Sequence, residues 1–148
     1  NCDDCWRSRR PKSPSAAWGY GSGKVDAIDF QTNGDVILQG YRLWGVKSGS
    51  TTFQVTIRLY RGSSMIAEKT GSYFTRSTDK TFEVHFSQVI SIRAGLLYTA
   101  TAEITGARSH AHSDGMSSAS CSGVTVTFIK SSKDTNNSNV SLKAKYQH

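Results

Sequence analysis

Apolar and polar residues alternate with period two along much of this chain, and that rhythm restricts the fold more than any other feature. In FQVTIRLY, Phe53, Val55, Ile57 and Leu59 fall on one side of an extended backbone, with Gln54, Thr56, Arg58 and Tyr60 on the other. KTFEVHF repeats the pattern with Phe82, Val84 and Phe86, and GVTVTFIK with Val124, Val126 and Phe128. LLYTATAEI offers Tyr98, Ala100, Ala102 and Ile104, while VSLKAKY offers Val140, Leu142, Ala144 and Tyr146. VDAIDF and DVILQGYRLWGV read as two more strands, joined through Asn33-Gly34, a dipeptide that favours a tight hairpin. No segment sustains the i, i+3, i+4, i+7 apolar spacing of an amphipathic helix.

Strands with one apolar face each, and no helix to cover them, must bury those faces against one another. The expected fold is therefore all-β, an antiparallel β-sandwich of about nine to eleven strands. A length of 148 residues suits one domain with its own core. Thirteen glycines fit hairpins and bulges, and both prolines fall in RSRRPKSPS near the N-terminus. Residues 1–17 read as a flexible basic arm and 18–148 as a single sandwich domain. The 18 basic against 11 acidic side chains give a net charge of +7, which favours acidic partners without naming one.

Chemistry has to be sought on loops, because sandwich strands mostly pack. His110, His112 and Asp114, in GARSHAHSDGM, resemble part of a metal-dependent hydrolase site. Hydrolases of this pattern need further ligands, usually another histidine directly after the aspartate, where this chain has Gly115, and the remaining histidines are only His85 and His148. His85 sits between inward Val84 and Phe86 and should face solvent. CDDC at Cys2–Cys5 lacks a second ligand pair, Cys121 has no evident partner base, and GYGSGK leads into a strand rather than a helix. Three cysteines cannot all pair within one chain, and NCDD is unlike a signal peptide, so an intracellular home is expected. No stretch approaches the roughly 20 apolar residues of a membrane span. Nucleic-acid binding would call on Arg42, Trp44, Arg58 and Tyr60, but aromatic residues of sandwiches mostly fill cores, and that reading is set aside.

WGYGSGKVDAIDF from Trp18 to Phe30, VILQGYRLWG to Gly45, GLLYTATAEITG and GVTVTFIKSS together resemble the PHR domain. That domain is named for Pam, Highwire and their nematode relative, giant neuronal ubiquitin ligases with a RING, and it occurs also in BTB-type adaptors of cullin ligases. The resemblance covers roughly Trp18 to Tyr146. It implies a β-sandwich without catalysis that recognises proteins, with zinc expected only in the RING of a parent E3 ubiquitin ligase and no cofactor here. The cysteine-bearing arm and the absence of a BTB segment favour the giant ligases of axon and synapse, with a BTB-type adaptor or a small metal-dependent hydrolase as alternatives. KDTNNSNV stands where members commonly carry Asn-Gly. The partner surface is expected on loops at one end of the sandwich, drawn from Trp44, Lys47, Tyr60, Arg61, His110, His112 and Asp114.

If the histidine cluster is only a loop, protein purified without an affinity tag should hold far less than one equivalent of zinc by elemental analysis. Chelator should then leave its melting temperature unchanged. Stoichiometric zinc, lost on changing His110 and His112 to Ala, would establish the hydrolase reading instead.

Overall fold

A computed structural model describes residues 24–106, 118–121, 123–135 and 140–146. The described residues form nine strands and no helix: β1 (Asp26–Thr32), β2 (Val36–Trp44), β3 (Ser50–Arg61), β4 (Ser64–Arg76), β5 (Thr81–Ile92), β6 (Tyr98–Thr105), β7 (Ser118–Cys121), β8 (Val124–Lys130) and β9 (Ser141–Tyr146). Two antiparallel sheets result, one of six strands in the order β4-β3-β6-β1-β8-β7 and one of three in the order β5-β2-β9. The β-sandwich expected from the alternation is the observed fold.

The inward positions of each alternation meet between the sheets. Phe53, Val55, Ile57 and Leu59 of β3 are buried beside Ala100, Ala102 and Ile104 of β6 and Ile28 and Phe30 of β1. From the smaller sheet come Val36, Leu38, Tyr41 and Leu43 of β2, Val84 of β5 and Leu142 of β9. Rings pack between neighbouring strands on each inner face: Phe30 stacks on its register partner Tyr98 with centroids 5.6 Å apart, and Tyr41 meets Phe86 edge-on at 5.4 Å. Phe82 is only partly buried, contrary to a full inward assignment, because it lies at the start of the edge strand β5, stacked on Phe53 at 5.6 Å.

The hairpin expected at Asn33-Gly34 does not form. β1 and β2 lie in different sheets, because β1 is already flanked on both edges, by β6 and by β8. Asn33 is instead tied to β8: its N–H donates to the Thr125 carbonyl at 3.0 Å, and its Oδ1 accepts the Thr125 N–H at 2.7 Å. The turn therefore carries the chain from one sheet to the other. A true hairpin joins β3 to β4 through Gly62, whose φ of 62° is a conformation that favours glycine.

Pairing between β2 and β5 is interrupted. Gly40 is opposite His85 and Leu38 is opposite Ile90, so Phe86 to Val89 face the single residue Gln39. Gly40 is required where the strands converge, since a Cβ there would overlap the Val84 carbonyl and lie 2.7 Å from the His85 Cα. The excursion turns Val89 out to 61% exposure while Phe86 stays in the core.

Tyr41 bridges the two layers, its hydroxyl donating to the Arg58 carbonyl of β3. Burial holds its phenol well above the ordinary tyrosine range, against the opposing pull of hydrogen bonding.

Two outcomes follow. Phe53→Ala should cost about 3–5 kcal/mol in urea unfolding, whereas its outward neighbour Gln54→Ala should cost about 0.5 kcal/mol or less. Since folded Tyr41 keeps its proton to higher pH than the unfolded chain does, the stability it confers is complete below about pH 10 and is lost as pH rises above that value. Tyr41→Phe should accordingly flatten the alkaline fall in the urea midpoint.

Candidate partner-binding surface

β3 sorts the candidate residues into two groups. Its first residues adjoin Gly49, whose carbonyl accepts the Ser77 N–H at 2.8 Å, and Thr51 is opposite Thr75, whose Oγ1 accepts the Val46 N–H at 3.3 Å. Trp44 and Lys47 belong to this end. Trp44 closes β2 opposite Thr81 and is half-buried, while Lys47 stands exposed in the bend that follows. Gly45 between them is pressed against the β4–β5 turn, its N–H 2.8 Å from the Lys80 carbonyl and an added Cβ only 2.6 Å from that of Asp79. Tyr60 and Arg61 lie at the other end of β3, roughly 30 Å away at about 3.3 Å per residue. The two groups therefore cannot form a single loop patch at one end. His110, His112 and Asp114 lie outside the described residues.

At the Tyr60 end, the side chains are arranged by ladder register. Tyr60 is opposite Thr99 of β6 on one side and Met65 of β4 on the other, and Arg61 is opposite Tyr98 and Ser64. The loop after β8 folds back over the outer face of the large sheet. It is anchored by Asp134, whose Oδ1 accepts the Ala27 N–H at 3.0 Å, and by Thr135, which exchanges hydrogen bonds with the Val25 backbone at 2.8 and 2.9 Å. This anchorage brings the Lys133 ammonium over the Tyr60 ring, 4.6 Å from its centroid. Arg61 and Lys133 are exposed, and Met65, Leu96 and Leu97 leave 51%, 40% and 44% of their surface to solvent.

On the same sheet face one arginine lies between two carboxylates. Arg58 is gripped by Glu68 through its Nε at 2.7 Å and by Glu103 through its Nη1. Hydrogen bonding to Glu68, then to Glu103, raises its pKa against a smaller opposing effect of burial. On the other sheet, Glu83 takes Arg42 at 3.3 Å and lies 2.9 Å from the ring of His85. His85 is nearly half-exposed, as its place between Val84 and Phe86 implied. Among the described residues, no cluster of three or more His, Cys, Asp or Glu side chains could hold a metal ion.

Lys133, Met65, Leu96 and Leu97 were not among the candidates drawn from the sequence. Lys133 comes near Tyr60 only through a loop that returns across the sheet from more than 70 residues later. The double leucine before β6 was a usable signal, since Leu96 and Leu97 precede the alternation that begins with inward Tyr98.

The model of the PHR domain matches residues 9–143, and the chain belongs to that family. It is 31% identical over 137 residues to BTB/POZ domain-containing protein 3 of Mus musculus and of Homo sapiens, across 92% of this chain and 26% of the relative. BTB/POZ domain-containing protein 6-A of Danio rerio is 28% identical over the same length. The chain spans about a quarter of the length of these curated relatives. No helix among the described residues is long and apolar enough to cross a membrane.

Proposed function

We propose that this PHR domain is a protein-recognition module of a BTB-type adaptor that delivers bound proteins to a cullin ubiquitin ligase. The observation that carries this reading is the 31% identity to BTB/POZ domain-containing protein 3 across 92% of the chain. The giant RING ligase of axon and synapse is the second reading, resting on the cysteine-bearing N-terminal arm. Its other support, the lack of a BTB segment, carries no weight in a chain that spans about a quarter of its relatives. In either parent the domain would bind proteins, need no cofactor of its own and work inside the cell, with a neuronal setting resting on family resemblance alone.

Reading the coding sequence on either side of the chain separates the parents. A BTB/POZ segment upstream supports the adaptor, and a RING within a very long chain replaces it with the giant ligase. For recognition itself, the tagged parent should co-purify a defined protein partner that is lost when residues 24–146 are deleted. An unchanged partner set after that deletion would remove the recognition role.

A further inference from the structure

We propose that the paired turns at the Lys47 end of the sandwich are the docking site, and that their occupant is an acidic segment of the partner protein bearing an apolar side chain. The inference rests on the recognition reading and names its partner chemistry. Two crossings between the sheets lie side by side there, residues 45–49 from β2 into β3 and residues 77–80 from β4 into β5. Three hydrogen bonds lace them together. The Gly45 N–H donates to the Lys80 carbonyl at 2.8 Å, the Val46 N–H to the Thr75 hydroxyl oxygen at 3.3 Å, and the Ser77 N–H to the Gly49 carbonyl at 2.8 Å. Lys47 falls between the second and third of these contacts on one segment, Arg76 falls between them on the other, and Lys80 makes the first. Three exposed cations are thereby carried on one hydrogen-bonded framework.

Carboxylates do not balance this charge. Asp79, exposed in the same turn, is one against three. Glu83 of β5 already takes Arg42 at 3.3 Å and His85 at 2.9 Å. Along the large sheet the next carboxylates are Glu103, opposite Thr56, and Glu68, opposite Arg58, whereas Arg76 is opposite Ser50. Six residues of β3 separate Ser50 from Thr56, roughly 20 Å at about 3.3 Å per residue, and both glutamates hold Arg58. Among the described residues, none of Lys47, Arg76 and Lys80 has a carboxylate partner. At the Tyr60 end, by contrast, Lys133 is followed by Asp134, and Asp29 accepts the hydroxyl of Thr99, the register partner of Tyr60, at 2.6 Å. Apolar surface adjoins the unbalanced cations. Phe74 is 62% exposed, more than any other large apolar residue among those described, and the Arg76 guanidinium lies 5.9 Å from its ring centroid. Complementary charge orients a partner and hastens its arrival, and apolar burial then retains it.

Fluorescence anisotropy of the 148-residue chain with three labelled peptides of equal length tests this: one of Leu and Glu, one of Leu and Lys, one of Ser and Glu. The Leu/Glu peptide should bind at least about tenfold more tightly than either of the others. Lys47→Glu with Lys80→Glu should reverse the preference toward Leu/Lys, a gain that a misfolded variant would not show. Phe74→Ser should bring Leu/Glu binding down to the level of Ser/Glu. Arg61→Glu with Lys133→Glu removes as much positive charge from the other end of β3, and near physiological salt, where screening acts within about 8 Å, it should change Leu/Glu binding by less than about twofold. Absence of binding, equal affinity for all three peptides, or an equal loss from the two double charge reversals would overturn the proposal. A parent protein that retains its partner after Lys47→Glu with Lys80→Glu would keep the recognition role and lose this surface, which separates failure of the two.

Discussion

A β-sheet with one apolar face cannot stand alone in water, and here no helix among the described residues covers it. The burial of two sheets against each other is therefore the constraint on which every other feature depends. It fixes which side chains point in, and by the same alternation it fixes which point out. Arg58 and Tyr60 reach the outer face because Ile57 and Leu59 must reach the inner one. The surface is thus a by-product of the core until loops rearrange it. The rearrangement that matters is the return of the segment after β8, which sets a lysine on a tyrosine that the ladder had already positioned.

The two sheets are unequal, and the inequality is reconciled by local departures from regular pairing. β2 carries one residue where β5 carries four, and Gly40 lets the backbones close up beside that excursion. Tyr41, one residue on, reaches across to the main chain of β3. Bulge, glycine and bridging hydroxyl occupy consecutive positions of one strand, so the register of the small sheet and its docking onto the large one are set together.

Period two is a property of consecutive residues, and that is why the strands and the inward residues of β3, β6 and β8 were legible in the sequence. Sheet membership was not legible in the same way. Asn33-Gly34 carries the chemistry of a hairpin, yet whether neighbouring strands pair depends on whether the first still has a free edge, and β1 has none once β6 and β8 are in place. The surface suffered the same loss of information. Trp44 and Tyr60 are both aromatic residues at strand ends, but the length of β3, acting between them, puts them far apart. Lys133 reaches Tyr60 through contacts made by Asp134 with Ala27 of β1 and by Thr135 with Val25 just before it, which no local pattern announces.

The position of β1 has a consequence for how the protein is made. One edge of β1 waits for β6, where Asp29 and Thr99 are 70 residues apart, and the other end is closed by a contact between Ala27 and Asp134 across 107 residues. Long-range closures of this kind slow folding, because chain entropy is lost well before the contacts that offset it form. On the ribosome, the first strand of the central sheet leaves the exit tunnel with neither neighbour yet synthesised. The sandwich is then completed only after nearly the whole domain has emerged, and a nascent chain stalled before β8 would display the open second edge of β1 to the chaperones around it.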